Sequence, residues 1–154
     1  MLKHKTKLLK MDSIELIYQE NILDHYKNPR NFGKINNASV HHHEYNPLCG
    51  DEIDLYLVID NNKKIVDIKF YGKGCAISQA SASILTEQIK GKRIEEIEKL
   101  TKENILEMLG IPISPVRLKC ALLSLDTLKN SVLIFEKYIH NNKIKGVVLK
   151  DVEK

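Results

Sequence analysis

Two neighbouring stretches in the first half of the chain alternate apolar and polar residues with a period of two. One face of residues 51–60 carries the aliphatic side chains of Ile53, Leu55, Leu57 and Ile59. After a turn at Asn61-Asn62, the second stretch places Val66, Ile68 and Phe70 on one face. Such alternation is typical of strands with one buried face, and asparagine tolerates the backbone of a tight turn. The pattern predicts an antiparallel hairpin that buries all of these apolar side chains.

One helix and one further strand are predicted before the hairpin. The helix begins at Ser13, and Asn28-Pro29 ends it because proline disfavours helical backbone at the residue before it. Residues 39–45 form the strand, which contains His41-His42-His43. Successive side chains of a strand point to opposite faces, so the three histidines cannot all bind one ion. A solvated sheet edge is the favoured interpretation of this strand.

Helices are predicted after the hairpin. A helix of small residues spans 76–90 and ends before Gly91, and two short helices span 94–100 and 102–109. The last and longest helix begins at Ser114-Pro115, carries a stripe of apolar residues and ends at Asn141-Asn142. This order of elements predicts an α+β fold, in which helices pack on a three-stranded antiparallel sheet to form two layers.

Composition and charge narrow the class of protein. With 154 residues, 43% apolar and 29% charged, the chain fits one globular domain, which we assign to residues 13–142. Residues 1–12 are predicted to be a flexible basic arm, with a weak targeting helix as the alternative, and residues 143–154 a tail with a strand or a frayed end at 147–149. Because the arm carries much of the net charge of +4, the rest of the chain is near neutral and nucleic acid is not expected as a partner. No stretch approaches the length of a transmembrane helix, so a membrane is not expected either.

The cysteine content indicates a reducing compartment. The chain has 3 cysteines and its arm lacks the apolar core of a secretory signal. An odd number of cysteines without such a signal argues against a disulfide framework and for the cytoplasm. In that compartment, clustered cysteines usually indicate metal or redox chemistry.

Hairpin topology predicts that three candidate site residues are neighbours. Cys49 and Asp51 lie where the first hairpin strand begins, and Cys75 follows the second strand. These two ends are adjacent in an antiparallel hairpin. Cys120 lies in the second turn of the last helix, which must place its first turns over the same sheet edge to join them. Three cysteines acting only as small buried apolar residues are the less favoured alternative.

The local sequence predicts reactive sulfur. Gly50, Gly72 and Gly74 give the backbone freedom to turn the side chains inward. A helix N-terminus beside Cys75 and the charge of Lys119 beside Cys120 are expected to favour thiolates. Three thiolates and one carboxylate suit zinc, or iron in an iron–sulfur unit. Because the carboxylate of Asp51 is the harder and weaker ligand, it predicts a site that releases its cargo.

At these residues the chain resembles the U-type iron–sulfur cluster assembly proteins, the NifU N-terminal, IscU and SufU family. The resemblance spans about residues 13–140 and is carried by residues 22–31, 46–51, 72–86 and 115–120. It implies a scaffold or sulfur carrier, rather than a turnover enzyme, with a cysteine desulfurase and iron–sulfur acceptor proteins as partners. A homo-oligomer is left open.

The resemblance also implies roles for individual residues. By position, Cys49, Asp51, Cys75 and Cys120 bind the cargo, which is iron, a transient [2Fe-2S] cluster or Zn²⁺. Cys49 is the candidate sulfur acceptor, and Cys120 is the second candidate.

Two departures from the family pattern leave open whether the chain is a cluster scaffold or a sulfur relay. IscU-type members carry a histidine before the last cysteine, where this chain has Lys119. That lysine and residues 74–83 are similar to SufU-type members, which resemble zinc-dependent sulfur acceptors. The segment between Cys75 and Cys120, however, lacks the insertion of SufU-type members and is short, as in IscU-type members. Residues 113–117 match the chaperone-recognition motif of IscU-type members only in part, so chaperone dependence is not implied. The hypotheses are a cluster scaffold, a zinc-dependent sulfurtransferase and a zinc-stabilised interaction module.

Overall fold

A computed structural model describes the backbone of residues 2–144 and the side chains of residues 13–142. The elements follow in the predicted order. They are α1 (Leu2–Lys27), β1 (Val40–Tyr45), β2 (Glu52–Ile59), β3 (Ile65–Lys73), α2 (Ala76–Ile89), α3 (Ile94–Glu98), α4 (Lys102–Leu109) and α5 (Pro115–Ile144). The strand or frayed end predicted at 147–149 lies outside the described residues.

The predicted hairpin is formed by β2 and β3, and β1 extends it to a sheet of order β1-β2-β3. Both strand pairs are antiparallel. Leu55 pairs with Phe70 and Leu57 with Ile68, and all four side chains are at most 3% exposed. These cross-strand pairs form the sheet side of the core, so the predicted α+β fold with an antiparallel three-stranded sheet is confirmed.

A β-bulge changes the alternation at the start of β3. Val58 pairs with Asp67 and Ile59 pairs with Ile65, so that Val66 is left without an opposite residue. The Val66 side chain is 44% exposed, whereas Ile65 is fully buried. The prediction that Val66 shares the buried face was therefore wrong, because a bulge adds one residue and shifts the alternation on one side of it.

Helices α2 and α5 pack against the sheet and against each other, and α1 packs on α2. Small buried side chains line α2, including Ser78, Ala80, Ser81, Ala82 and Ser83. The Ser81 hydroxyl donates to the Ala121 carbonyl of α5 over 2.8 Å, which satisfies a polar group inside the interface. The predicted close packing of this helix is confirmed, and it brings the first turns of α5 to the sheet.

The two terminal helices are longer than predicted. The backbone of residues 2–12 is helical, so α1 begins at Leu2 instead of Ser13, and α5 continues to Ile144. Residues 2–12 contain neither proline nor glycine, which leaves nothing to stop a helix. The division of the chain into arm, domain and tail stays a prediction. In the described part of the chain, no helix has the length and hydropathy needed to cross a membrane.

Candidate metal and sulfur site

The loop before β2 presents Cys49 to solvent and turns Asp51 inward. The Gly50 amide donates to the Asn46 carbonyl, and the Asn46 amide donates to the Asp51 carbonyl, each over 2.8 Å. Gly50 has a φ of 74°, which favours glycine. The resulting tight turn leaves Cys49 exposed, whereas Asp51 is only 3% exposed.

The Asp51 carboxylate connects the start of β2 to the start of α2. Its Oδ1 accepts a hydrogen bond from the Cys75 amide over 3.1 Å. Its Oδ2 accepts from the Cys75 thiol over 3.6 Å. Cys75 is half-buried and is the N-cap residue of α2. The structure therefore makes Asp51 and Cys75 neighbours, at the sheet end where the hairpin topology predicted them.

Position 74 requires glycine because there is no room for a side chain beside this carboxylate. A Cβ atom at position 74 would lie 2.6 Å from Asp51 Oδ1 and 2.6 Å from the Ser78 hydroxyl. Because Asp51 and Ser78 are both buried, neither side chain can move away without losing its present contacts. The absence of a side chain at Gly74 thus sets the position of the carboxylate.

We expect Gly74→Ala to lower the affinity of the site for Zn²⁺ or Co²⁺ by roughly tenfold or more, as loss of the groups that orient metal ligands commonly does. The added methyl group must displace the Asp51 carboxylate from its contact with Cys75. Titration with Co²⁺, followed by its absorption spectrum, measures this affinity. Gly91→Ala is the control for general destabilisation, since its φ of 88° strains an alanine while no atom beyond its chain neighbours lies within 4 Å of the added methyl group. Equal affinities in wild type and Gly74→Ala would contradict this role of Gly74.

Cys120 joins the group from α5. It is 5% exposed, and its thiol donates to the sulfur of Cys49 over 3.3 Å. The ligand atoms of Cys49, Asp51 and Cys120 all lie within 4.8 Å of one another. The N-terminal end of α5 therefore lies over the sheet edge, as required to bring Cys120 to the other cysteines.

The charge state expected for Cys120 was wrong. Burial, and then hydrogen bonds to Cys49 and Asp51, raise the pKa of the Cys120 thiol well above its ordinary value. Lys119 is exposed on the helix surface, so its charge stays in water. The prediction that Lys119 favours a Cys120 thiolate neglected the desolvation of a buried thiolate.

The donor atoms fit a soft or borderline metal. Sulfur ligands of one tetrahedral ion lie roughly 3.8 Å apart when the metal–sulfur bonds are about 2.3 Å. The separation of 3.3 Å between Cys49 and Cys120 is close to this value. A metal would replace the thiol protons, and the Asp51 carboxylate beside the two sulfurs would supply an oxygen ligand.

Buried hydroxyl groups also hold the helices that present these residues. The Ser83 hydroxyl lies 2.7 Å from His25 Nδ1 and accepts from the Arg30 amide over 2.9 Å. It thereby ties the end of α1 and the following loop to α2, whose N-terminus carries Cys75. The sequence showed small residues in α2 but not which hydroxyls would pair, because these partners lie more than 50 positions away along the chain.

Comparison with known proteins places the chain in one family. The NifU-like N terminal domain matches residues 17–142. IscU 1 of Archaeoglobus fulgidus, an iron–sulfur cluster assembly scaffold protein, is 39% identical over 90% of this chain and 90% of its own length. The zinc-dependent sulfurtransferase SufU of Bacillus subtilis is 38% identical over 78% of this chain and 92% of its own length.

A solved structure agrees with these relatives. The crystal structure of SufU from Fervidobacterium islandicum AW-1 superposes with a TM-score of 0.66 and 37% identity, over 77% of this chain and 98% of that one. The domain match covers most of the chain and contains the sheet, the clustered cysteines, α2, α3, α4, the end of α1 and nearly all of α5. The chain therefore belongs to the NifU N-terminal family of iron–sulfur cluster assembly proteins, together with IscU and SufU.

Proposed function

We propose that this protein is a scaffold for iron–sulfur cluster assembly. It accepts sulfur from a cysteine desulfurase, holds iron and the growing cluster as cargo, and passes the cluster to acceptor proteins. The observation that carries the proposal is the donor cluster at the sheet edge. Cys49, Asp51 and Cys120 offer ligand atoms within 4.8 Å of one another, the Cys75 thiol contacts the same buried carboxylate, and Cys49 is open to solvent. The scaffold named IscU in Archaeoglobus fulgidus supports the same function.

Cys49 accepts the sulfur. Its exposed sulfur can be reached by the persulfide of a partner protein, whereas Cys120 is buried. The Cys49 thiolate attacks the terminal sulfur of the desulfurase persulfide. A new S–S bond forms on Cys49, the S–S bond of the desulfurase breaks, and its cysteine leaves as a thiolate. The proton of Cys49 passes to solvent, and no net oxidation or reduction occurs in this step.

Cys75, Cys120 and Asp51 hold the cargo together with Cys49. The three thiolates bind iron through sulfur, and the carboxylate completes the donor set with a weaker oxygen ligand. Conversion of the transferred sulfur to sulfide needs two electrons, which an external thiol or a one-electron protein reductant must supply. The donor set thus combines firm binding through sulfur with one ligand that exchanges more easily.

A second candidate function is zinc-dependent sulfur transfer. Lys119, which stands where IscU-type members have histidine, and the similarity to SufU of Bacillus subtilis favour it. In this case the same four residues would hold Zn²⁺, which would keep their sulfur atoms deprotonated. Cys49, the exposed one, would be the nucleophile toward the desulfurase persulfide, and the other three residues would retain the ion.

One anaerobic experiment distinguishes the two functions. Purified protein is mixed with a cysteine desulfurase, cysteine, a thiol reductant and Fe²⁺, and visible absorption and bound metal are followed. A scaffold develops a cluster chromophore that Cys120→Ser loses. Ser124→Ala is the matched control, because Ser124 is also buried, one turn further along α5, but outside the donor set. We expect this control to keep the chromophore.

Other outcomes assign other functions. Faster sulfur release from the desulfurase, with zinc retained and no chromophore, identifies a sulfur relay. If neither activity appears and removal of metal only unfolds the protein, the site is a structural element of an interaction module and both proposals fail.

A further inference from the structure

A second group of metal-binding side chains lies on β1 and β2, outside the cysteine site. His41 Nε2 lies 2.7 Å from Asp54 Oδ1, and His43 Nδ1 lies 3.2 Å from Asp54 Oδ2. His43 pairs with Asp54 across the two strands. Since residues two apart on a strand share a face, His41 and His43 lie on either side of one carboxylate.

The cluster is held partly in place by its surroundings. The His41 ring stacks on the Tyr56 ring, with centroids 4.2 Å apart and an angle of 6° between the planes. The Asp54 side chain is 22% exposed, and the two histidine side chains are about half exposed. Burial raises the pKa of Asp54, but hydrogen bonds from His41 and His43 outweigh it, so the net pKa is lowered. The carboxylate is therefore charged at neutral pH.

The third histidine of the sequence is separate from this group. His42 lies between the other two in the chain, and its Nε2 is 3.0 Å from Glu44 Oε1. As the alternation of a strand requires, His42 and Glu44 lie on the opposite face from His41 and His43. The sequence provides a matched control one residue away from each of the two paired histidines.

We propose that His41, His43 and Asp54 form a second metal site, which binds one late first-row divalent cation such as Zn²⁺, Fe²⁺ or Co²⁺. Imidazole nitrogens with one carboxylate oxygen suit these borderline cations and not Mg²⁺ or Ca²⁺. The two imidazole nitrogens now hydrogen-bond to different oxygens of Asp54, and among the described residues it is the cysteine site whose ligand atoms all lie within 4.8 Å of one another. To share one ion, the rings of His41 and His43 must rotate toward a common point, and side chains that are about half exposed have the room to do so.

This site is distinct from the cysteine site. Asp54 lies three positions after Asp51, which directly precedes β2, a separation of roughly 10 Å at about 3.3 Å per extended residue. Asp51 is buried like Ile53 and Leu55, whereas Asp54 lies on the other face of β2 and is 22% exposed. One ion cannot bridge the two groups, and the second site does not depend on the proposed scaffold function.

The test uses the full chain with all three cysteines replaced by serine, which removes the thiol donors and therefore any cluster assembly. Isothermal titration with Zn²⁺ alone should show one ion bound per chain. Substitution of a ligand, as in His43→Ala or Asp54→Asn, should weaken this binding by at least about tenfold. His42→Ala should leave it unchanged.

A second measurement uses the wild-type chain, in case the thiol-free variant does not fold. After one equivalent of Zn²⁺ has filled the thiol-rich cysteine site, addition of paramagnetic Co²⁺ should broaden the NMR signals of the His41 and His43 rings before those of His25 and His140. The proposal is overturned if a folded thiol-free variant binds no Zn²⁺. It is equally overturned if His42→Ala weakens binding as much as His43→Ala, or if Co²⁺ affects all histidine rings alike.

Discussion

Replacing Cys49 by serine is expected to abolish sulfur acceptance from a cysteine desulfurase. The structure leaves Cys49 exposed and buries Cys120, so an incoming persulfide reaches Cys49 first. A serine hydroxyl does not replace a thiolate as the nucleophile in this exchange. We expect the rate of sulfur transfer to fall by at least about a hundredfold, since loss of a nucleophile removes far more than one ordinary contact.

The measurement is the intact mass of the protein after brief exposure to a desulfurase and cysteine, without iron. Wild type should gain the mass of one sulfur atom, and Cys49→Ser should not. Cys75→Ser is the matched control, because it removes a half-buried thiol of the same group but not the proposed acceptor. A sulfur atom found on Cys120 in the Cys49→Ser variant would instead assign acceptance to Cys120.

The sequence pattern of the hairpin was enough to predict that Cys49, Asp51 and Cys75 lie close together. Period-two alternation specified two strands, and a short turn between them specified an antiparallel pair. The residue that begins the first strand is then necessarily close to the residue that follows the second. The observed register, with Glu52 opposite Lys73, places these residues at one end of the sheet.

Features that depend on three-dimensional packing could not be predicted in the same way. Val66 continues the apolar alternation in sequence, but a bulge beside it removes it from the buried face. The bulge is set by how the two strands pair, which no single strand specifies. The raised pKa of the Cys120 thiol likewise results from its burial at the start of α5. The sequence showed only the adjacent charge of Lys119, which predicted a thiolate.

The histidines of β1 show both what a strand pattern predicts and what requires the pairing of strands. Alternation alone separated His42 from His41 and His43. The carboxylate between the latter two became visible only with the register, because Asp54 comes from the neighbouring strand. A pattern along one strand shows which side chains share a face, and pairing with a second strand shows what they can bind.

Replacing Asp51 by alanine is expected to slow the transfer of bound cluster to an acceptor protein. In the proposed donor set, the carboxylate is the hard ligand among soft thiolates, and its bond to iron is the one most readily exchanged for a ligand of the acceptor. A barrier higher by about 1.4 kcal/mol would slow transfer roughly tenfold. The rate is measured by the appearance of cluster on an apo-ferredoxin-type acceptor.

Asp51→Ala has a second effect that needs a control. Asp51 Oδ1 also accepts the Cys75 amide hydrogen at the start of α2, and its loss should cost about 1 kcal/mol of stability, as loss of a helix cap does. Asp51→Asn keeps an oxygen acceptor of the same size at this position but removes the charge. If ligand exchange governs release, Asn and Ala should slow transfer alike while differing in thermal stability.

Asp51→Cys separates binding from release more sharply still. A fourth thiolate would complete an all-sulfur donor set, which suits an iron–sulfur cluster better than the mixed set does. We therefore expect this variant to retain its cluster most firmly and to transfer it most slowly. Unchanged transfer rates in all three variants would contradict the exchange role of Asp51. Faster transfer in Asp51→Ala would mean that the carboxylate holds the cargo in place, and the burial of Asp51 at the centre of the site would then serve retention.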